Sequence, residues 1–451
     1  MNSIQDALFA DLYEFTMAAC YFENRMFDPA TFSLYIRKYG PHRGYYVSAG
    51  LEEVLDFLES FQFTPEELDF LQSTGLFSTD FLNYLERLRF TGELFAIPEG
   101  RLFFKDEPIL EITAPIIEAQ LIESFVINAV NLQVSIASKA ARCIHAAGGK
   151  NLVDFSLRRT QGTDAGMKVA RASFIAGFGA TSNVLAGKQY GIPISGTMAH
   201  SFVLSFEEEI EAFRAFARTF PDRTVLLIDT YDTISGAKKA AEVGREMLEG
   251  GHMLRGVRLD SGDFVKLSKE VRRILDEAGL KEVIIFASGG FDEFEIEEVL
   301  SKGAKIDAFG VGTKMGVSAD APYNDIAYKL VEYDGRPVLK LSRAKKTLVN
   351  RKQVFRETRE GKMIGDTIGL RAESHGGTPL LKCMMLGGER LSQPESLQHI
   401  RERFRAEFST LGDPYKSIKN PETYPVRLSP MLEAAQSRTV REVRRRELGE
   451  S

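Results

Sequence analysis

Between about residue 150 and residue 315, short apolar runs alternate with stretches in which apolar residues recur every three or four positions. The runs are Asn151–Phe155, Pro193–Thr197, Thr224–Asp229, Leu254–Asp260, Val283–Ser288 and Ile306–Val311. Short apolar runs predict strands, and the three- and four-residue spacing predicts helices with one buried face. The alternation therefore predicts repeated strand-helix units of an α/β fold.

Each predicted strand ends in polar residues or glycines. These ends are Asp154, Thr197–His200, Asp229, Asp260, Ser288–Gly290 and Gly310–Thr313. In β/α barrels the active site is assembled at the carboxyl ends of successive strands, so the pattern predicts a catalytic rim. Helix N-caps and turns favour the same residue types, but a shared position at every strand end favours the functional interpretation.

The flanking segments have a different pattern. Residues 1–75 are helical and rich in aromatic residues, and residues 92–113 contain β-type runs. Asp334-Gly335 between two apolar runs is a hairpin signal. We expect an α/β domain that begins in residues 1–130, a catalytic β/α barrel over 131–325, and a segment 326–451 that returns to the first domain.

Length and charge limit the classes of function. The chain has 451 residues, more than a single core usually holds, and a net charge of -6. That charge argues against nucleic acid or a membrane surface as a partner. The three cysteines, Cys20, Cys143 and Cys383, are too far apart for a disulfide framework or zinc cluster. With no leader-like N-terminus, the sequence predicts a cytoplasmic protein.

Two glycine-containing turns are candidate phosphate sites. Ser288-Gly289-Gly290 and Gly310-Val-Gly312-Thr313 each follow a predicted strand and offer unshielded backbone N–H groups. Tight turns without a ligand are the alternative interpretation of each pair. Together they favour a phosphorylated ligand.

Charged and aromatic residues accompany these turns. Asp229 and Asp260 could hold a sugar diol or Mg²⁺, or stabilise positive charge on a ribose ring, and N-capping is the alternative. Arg258 lies two residues before Asp260, so both side chains leave one face of a regular strand, where they could also form only an internal ion pair.

Phe155 could stack on a flat ring while Arg158 and Arg159 pair with an acid group on that ring. The alternative, equally compatible with the sequence, is that the two arginines lie on the surface where a helix begins. His200 follows a predicted strand and is a candidate base or nucleophile, with a satisfied structural histidine as the alternative.

These segments together resemble the nicotinate phosphoribosyltransferase family over residues 9–357. The resemblance rests on Asp11–Met17, Phe155–Gly166, Gly179–Gly187, Gly196–Ser201, Val257–Asp263 and Gly310–Thr313. It implies an irregular β/α barrel of the type II phosphoribosyltransferase kind. It also implies Mg²⁺-dependent transfer of phosphoribosyl from phosphoribosyl pyrophosphate to nicotinate, with ATP as co-substrate, giving nicotinate mononucleotide and pyrophosphate in NAD biosynthesis.

The resemblance also implies roles for single residues. Tyr13 and Phe155 would sandwich the pyridine ring, with Tyr13 reaching in from the partner subunit of a homodimer. Arg258 and Thr197 would contact nicotinate, and Thr313 would contact phosphoribosyl pyrophosphate. His200 would be the residue that becomes phosphorylated.

Ser182 bears on the choice between acid and amide. The related nicotinamide enzyme carries an aspartate at this position, and a second carboxylate would repel a carboxylate substrate, so Ser182 favours nicotinate. The alternatives are a nicotinamide or quinolinate phosphoribosyltransferase, a barrel lyase on a phosphorylated substrate, and a non-catalytic metabolite-binding protein. A Schiff-base lyase is disfavoured because none of the six strand runs between residues 150 and 315 contains a lysine.

Overall fold

The structure, a computed structural model, describes residues 6–341 and 347–450. The helices are α1 (Leu12–Glu23), α2 (Leu51–Ser60), α3 (Pro65–Ser73), α4 (Thr79–Arg87), α5 (Ile116–Leu121), α6 (Glu123–Ala146), α7 (Thr163–Ile175), α8 (Val184–Tyr190), α9 (His200–Leu204), α10 (Glu209–Thr219), α11 (Thr233–Glu249), α12 (Phe264–Glu277), α13 (Glu293–Ser301), α14 (Thr313–Gly316), α15 (Leu397–Thr410), α16 (Asp413–Lys416) and α17 (Pro430–Leu448).

The strands are β1 (Pro29–Ile36), β2 (Tyr46–Val47), β3 (Glu93–Ala96), β4 (Leu102–Phe103), β5 (Pro108–Pro115), β6 (Asn151–Asp154), β7 (Ala180–Thr181), β8 (Val225–Leu227), β9 (Gly256–Leu259), β10 (Ile284–Ser288), β11 (Ala308–Val311), β12 (Ile326–Tyr333), β13 (Arg336–Pro337), β14 (Lys352–Arg359), β15 (Lys362–Leu370), β16 (Thr378–Pro379), β17 (Lys382–Leu386), β18 (Glu389–Arg390) and β19 (Val426–Leu428). A 3₁₀ turn covers Leu157–Arg159.

The chain divides into two compact units. One contains residues 1–137 together with 323–451, and the other contains residues 138–322. In the first unit, β1 pairs antiparallel with β5 from the N-terminal flank and with β12 from the C-terminal flank, so both ends of the chain contribute to one seven-stranded sheet. The hairpin between β12 and β13 turns at Asp334 and Gly335, both of which have positive φ.

The second unit is built on a parallel sheet in the order β7-β6-β11-β10-β9-β8. All of its strand pairs are parallel, as the alternation of strands and helices predicts. Its strands are short and largely buried, and α10, α11 and α12 pack against them through faces that include Phe213, Ala240 and Val271. This confirms the α/β class with a parallel sheet.

One predicted strand is wrong. Pro193–Thr197 forms only an isolated bridge, in which Ile194 pairs with Thr181. Pro193 has no N–H to donate, and Ile194 is exposed and contributes nothing to a buried face. The sheet instead contains β7, which has only two residues and is too short to produce a periodic signal.

Polar residues such as Glu118, Asn128 and Lys139 interrupt the apolar stretch from Ile116 to Ala141. Within the described residues, no helix combines the length and the apolarity that crossing a membrane requires.

Candidate active site

The carboxyl ends of the parallel strands bring most of the predicted site residues to one edge of the sheet. Phe155 follows β6, Ser182 follows β7, and Asp229 lies two residues beyond β8. Asp260 follows β9, Ser288 ends β10, and Gly312 follows β11. We call this edge the rim. Because neighbouring parallel strands end on the same side, residues far apart in sequence meet there.

Arg258 in β9 is the most connected side chain of the rim. Its Nε donates to Ser288 Oγ at 2.8 Å, and its Nη2 donates to Asp260 Oδ1 at 2.8 Å. Its Nη1 donates to Thr197 Oγ1 at 3.3 Å and to the Met198 carbonyl oxygen at 3.0 Å. The planar guanidinium is therefore held from several directions at once, which fixes its orientation.

Asp260 is held in its ionised form. Partial burial raises the pKa of this carboxyl, but hydrogen bonds from Ser288 and Arg258 outweigh that effect, and the pKa lies below its ordinary value. Ser288 Oγ donates to Asp260 Oδ1 as well as accepting from Arg258. Its hydroxyl is thus engaged inside the protein, which favours a positioning role over the phosphate contact that the sequence predicts.

Asp229 lies directly beside Asp260. Its Oδ2 accepts from the Asp260 backbone N–H at 2.8 Å and from Ser261 Oγ at 2.9 Å. Its Oδ1 is buried, and among the described residues it has no hydrogen-bond partner. Two carboxylates thus adjoin on neighbouring strands, one of them with an unused oxygen.

Phe155 lies under the Arg258 guanidinium, whose carbon is 5.5 Å from the ring centre. The ring occupies the space beside Gly310, where an added Cβ would lie 2.6 Å from a Phe155 ring carbon. Gly310 is buried in β11, so its missing side chain makes room for the aromatic ring. The geometry gives Gly310 a packing role, whereas Gly312 and the exposed Thr313 lie at the open end of the strand.

His200 begins α9 and is partly exposed. Its Nδ1 lies 3.1 Å from Thr230 Oγ1, and its Nε2 lies 4.0 Å from Asp260 Oδ2. The imidazole is therefore oriented by a hydroxyl and faces a carboxylate across the rim. This is a suitable arrangement for a nucleophile that must become cationic or carry a phosphoryl group.

The glycine pair after β10 has a clear conformational requirement. Gly289 and Gly290 are exposed and have φ of 102° and 77°. A Cβ on Gly289 would lie 2.0 Å from the Asp260 carbonyl oxygen. Only glycine permits this turn to pass so close to β9.

The other predicted site residues are less connected. Arg158 is exposed on the 3₁₀ turn, whereas its neighbour Arg159 donates to Thr313 Oγ1 at 3.4 Å. Ser182 is half-buried, and its N–H donates to the Asp154 carbonyl oxygen. Tyr13 lies on α1 in the other unit and is 45% exposed.

Asp154, the strand-end residue of β6, is structural. It is buried, and its carboxylate accepts from Ser156 and from Thr181 Oγ1 of β7. Burial raises the pKa of Asp154 against the effect of these hydrogen bonds. The alternative interpretation of strand-end polar residues therefore holds at this position.

Sequence reasoning missed two residues that the structure brings to the rim. Thr230 contacts His200, and Ser261 contacts Asp229. Thr230 and Ser261 directly follow Asp229 and Asp260, so an analysis of the residue after each strand-end carboxylate would have found both.

The rim as a whole combines an aromatic plate, a fixed cation, two adjacent carboxylates, a partly exposed histidine and open glycine turns. In the described part of the chain, His, Cys, Asp and Glu side chains nowhere gather in a group of three or more that could hold a metal ion. The arrangement suits a flat anionic ring and a phosphorylated second ligand.

Comparison with known proteins decides the family. The Nicotinate phosphoribosyltransferase (NAPRTase) family model matches residues 150–369, and the models of its N-terminal and C-terminal domains match residues 8–131 and 373–436. The nicotinate phosphoribosyltransferase pncB2 of Mycobacterium tuberculosis is 48% identical over 425 residues, 94% of this chain and 91% of that protein. The chain belongs to the nicotinate phosphoribosyltransferase family.

Other relatives of the family agree over nearly the whole length. The Bacillus subtilis nicotinate phosphoribosyltransferase is 38% identical over 473 residues, 98% of this chain and 96% of that protein. The crystal structure of human nicotinic acid phosphoribosyltransferase superposes with a TM-score of 0.85 at 27% identity, covering 95% of this chain and 99% of that one. Nicotinate-nucleotide pyrophosphorylase from Pyrococcus furiosus gives a TM-score of 0.75 at 26% identity, covering 90% of this chain and 96% of that one.

Proposed function

We propose that the chain transfers the phosphoribosyl group of phosphoribosyl pyrophosphate to nicotinate, giving nicotinate mononucleotide and pyrophosphate. The observation that carries this proposal is the Arg258 guanidinium, fixed by Asp260 and Ser288 above the Phe155 ring. A cation beside an aromatic plate recognises a flat ring that bears an acid group. Family membership supports the same substrates.

Nicotinate would stack on Phe155 with its carboxylate toward Arg258 and Thr197. Thr197 Oγ1 already contacts the Arg258 guanidinium, so the hydroxyl and the guanidinium can both bind the nicotinate carboxylate. Ser182 at the end of β7 adds no second negative charge, which favours nicotinate over nicotinamide. We propose that Tyr13 of a partner subunit covers the other face of the ring.

The chemical step would be a displacement at the ribose carbon. The pyridine nitrogen forms the new bond to C1 of the ribose as the bond to pyrophosphate breaks, so no proton has to be removed. Positive charge develops on the ribose ring, and the adjacent carboxylates Asp229 and Asp260 would stabilise it. The lowered pKa of Asp260 keeps that charge available at neutral pH.

The rim also fits the Mg²⁺ that the resemblance implies. Mg²⁺ in phosphate-transfer sites is usually bound by one or two carboxylates together with substrate phosphates. Asp229 Oδ1, which has no hydrogen-bond partner among the described residues, provides such an oxygen. When bound with the substrate, the ion would neutralise the pyrophosphate leaving group. Asp229 and Asp260 are the residues that would hold it.

Phosphate recognition would fall to the open glycine turns. Gly289 and Gly290 after β10, with Gly312 and Thr313 after β11, are the candidates that remain accessible. Arg159 beside Thr313 adds a cation. Ser288 and Gly310 would support these contacts indirectly, through Arg258 and Phe155.

ATP would act through His200. An imidazole nitrogen attacks the γ-phosphorus, the bond to the β-phosphate oxygen breaks, and ADP leaves. The resulting phosphohistidine would lie beside Asp229 and Asp260 and would couple ATP cleavage to binding of phosphoribosyl pyrophosphate. His200→Ala should abolish the stimulation of product formation by ATP while some transferase activity remains. Full ATP stimulation in this variant would rule out the phosphohistidine.

The assembly and the finer architecture belong to the same proposal. Tyr13 and Met17 are one helical turn apart on α1, and both are exposed, as is Leu12. Such an apolar face suits coverage by a second copy in a homodimer. We further propose that the parallel sheet forms an irregular barrel, and a cytoplasmic location stays a prediction of the sequence.

A competition assay tests the function. Nicotinate, nicotinamide and quinolinate are mixed in equal amounts with phosphoribosyl pyrophosphate and Mg²⁺, with and without ATP, and the mononucleotides are separated by chromatography. We expect nicotinate mononucleotide as the main product. Preference for the amide would overturn the Ser182 argument, preference for quinolinate would assign the chain to the decarboxylating enzymes, and unchanged substrates would favour a binding protein.

A further inference from the structure

Lys139 on α6 is a buried cation that the proposed chemistry does not use. Its side chain is fully buried, and its Nζ lies 3.2 Å from Asp292 Oδ2, 2.6 Å from Glu293 Oε2 and 2.9 Å from Asp320 Oδ1. Burial by itself lowers the pKa of Lys139, but these carboxylates raise it above its ordinary value, so the ammonium stays charged.

The carboxylates around Lys139 come from two different rim segments. Asp292 lies two residues after Gly290, in the turn that follows β10. Asp320 lies a few residues beyond α14, the short helix that begins at Thr313 after β11. One ammonium group therefore joins both segments proposed to bind phosphate. All of these residues lie within the 138–322 unit.

A second, outer link connects the same two segments. Lys314, next to Thr313, contacts Glu295 Oε1 of α13 at 2.5 Å. Glu295 in turn accepts from the Asp292 backbone N–H at 3.2 Å as part of a capping box. Both side chains of this outer link are 40% exposed. Lys139 and its carboxylate partners, which we call the inner link, are 0–15% exposed.

Arg142 is the second cation beside Lys139, and it binds Glu293 from α6. Arg142, one turn along α6, donates from Nε to Glu293 Oε1 at 2.8 Å. Glu293 begins α13, directly after Asp292. The cluster thus fixes the start of α13 against α6 while Lys139 reaches across to Asp320.

Stability alone is a weak reason for such a cluster, because apolar residues of similar volume often replace buried ion pairs without loss. Its distinguishing property is geometric, since a shared ammonium fixes the distance between two carboxylates on separate segments. We propose that Lys139 is a positioning residue that holds the turns after β10 and β11 in register for the phosphates of phosphoribosyl pyrophosphate. This rests on the proposed function.

Asp320→Asn tests the inner link with little risk to folding. The change keeps the shape of the side chain and leaves Lys139 paired with Asp292 and Glu293. Because small displacements of binding groups are costly, we expect the KM for phosphoribosyl pyrophosphate to rise about tenfold. The KM for nicotinate should stay within about twofold, because Arg258 and Phe155 are not part of the cluster.

Glu295→Gln tests the outer link, and Glu298→Gln is its matched control. Glu298 lies on the same helix, is 61% exposed and pairs with Lys302, the residue directly after that helix. We expect Glu295→Gln to raise the same KM about threefold, since one exposed ion pair contributes little. Glu298→Gln should leave it unchanged.

Lys139→Met and Lys139→Arg complete the series, with thermal unfolding recorded for each variant. We expect Lys139→Arg to retain more of the affinity for phosphoribosyl pyrophosphate than Lys139→Met. Folded Asp320→Asn with wild-type KM values, or with equal rises for both substrates, would overturn the positioning role. A wild-type chain that forms no nicotinate mononucleotide would instead overturn the proposed function, so the two failures are distinguishable.

Discussion

Arg258 at the rim and Arg356 in β14 are both largely buried arginines that bind carboxylates, but their surroundings differ. Arg356 makes hydrogen bonds to Asp366 through Nε and Nη2 and to Glu407 through Nη1, and Tyr424 adds a hydrogen bond to Asp366. Arg258 meets one carboxylate, Asp260, and otherwise binds hydroxyls and a carbonyl.

Access explains the difference in use. The Arg356 side chain is 2% exposed, and its donors are taken by Asp366 and by Glu407, which also binds Arg101, so no further anion can reach it. Arg258 faces one carboxylate, which is 32% exposed, beside a histidine that is 41% exposed. An incoming carboxylate can therefore approach Arg258, and the comparison separates a binding cation from a structural one.

The largest effect that we expect is on stability, from Arg356→Met. Losing this cation leaves the Asp366 carboxylate buried without an arginine partner, while Glu407 keeps Arg101, and breaking the buried pair costs roughly 3–5 kcal/mol. Urea unfolding measures the loss, and the activity per folded molecule should be unchanged. Arg359→Met, at the exposed end of the same strand, should change the free energy of unfolding by less than about 0.5 kcal/mol. Equal changes in the free energy of unfolding for Arg356→Met and Arg359→Met would contradict a structural role of Arg356.

Arg258→Met should have the opposite profile. We expect kcat/KM for nicotinate to fall by about 100-fold or more, because each hydrogen bond to a charged group contributes roughly 1.5–3 kcal/mol. Arg258→Lys should recover only part of it, since an ammonium cannot reproduce the planar fork. Arg255→Met, just before the same strand and exposed, is the control. If Arg258→Met lowered only the stability and not kcat/KM, Arg258 would be a structural cation like Arg356.

The pattern of strands and helices predicted the parallel sheet because each of its longer strands carries its own apolar run. The two-residue β7 was missed, and Pro193–Thr197 was mistaken for a strand, because burial and pairing partners cannot be read from so short a segment. The predicted ends of β6, β8, β9, β10 and β11 do lie at one edge of the sheet, but Ser288 and Gly310 acquire their contacts from other strands.

The Lys139 cluster could not be predicted from local sequence. Lys139 lies on a mostly apolar helix, and its partners Asp292 and Asp320 follow more than 150 residues later. The direction of a pKa shift depends on the same distant neighbours. Asp154 and Asp260 both stand at the end of a predicted strand. Burial nevertheless raises the pKa of Asp154, whereas Ser288 and Arg258 outweigh burial and lower the pKa of Asp260.

Glu14 in α1 and Asp260 at the rim should change stability in opposite directions as the pH changes. Burial raises its pKa from 4.5 to about 7, against the effect of the Ser124 hydrogen bond. The folded chain then binds this proton more tightly than the unfolded chain, so the contribution of Glu14 to stability should fall by roughly 2–3 kcal/mol as pH rises from 4.5 to about 7. Asp260 has the opposite sign, because its stabilisation is lost as pH falls.

Glu14→Gln should remove this fall, so urea unfolding at several pH values should show a flatter profile and a more stable variant at pH 8. Glu23→Gln, exposed at the end of the same helix, should keep the wild-type slope. Parallel profiles for Glu14→Gln and the wild type would contradict the raised pKa.

The smallest expected effect concerns the pair that orients His200. Thr230→Val keeps the side-chain shape but removes the hydroxyl that lies 3.1 Å from His200 Nδ1. One neutral hydrogen bond is worth about 0.5–1.5 kcal/mol, so the stimulation of product formation by ATP should fall roughly two- to tenfold. The rate without ATP should be nearly unchanged, because Thr230 touches neither Arg258 nor Phe155.

Ser261→Ala provides the contrast for this measurement. Ser261 donates to Asp229 and belongs to the carboxylate pair, so its loss should lower the rate by a similar factor with and without ATP. The ratio of the two rates, measured on the same preparation, separates the variants regardless of differences in protein concentration. If both variants reduced that ratio equally, the hydroxyl beside His200 would be supporting the rim in general and not the nucleophile.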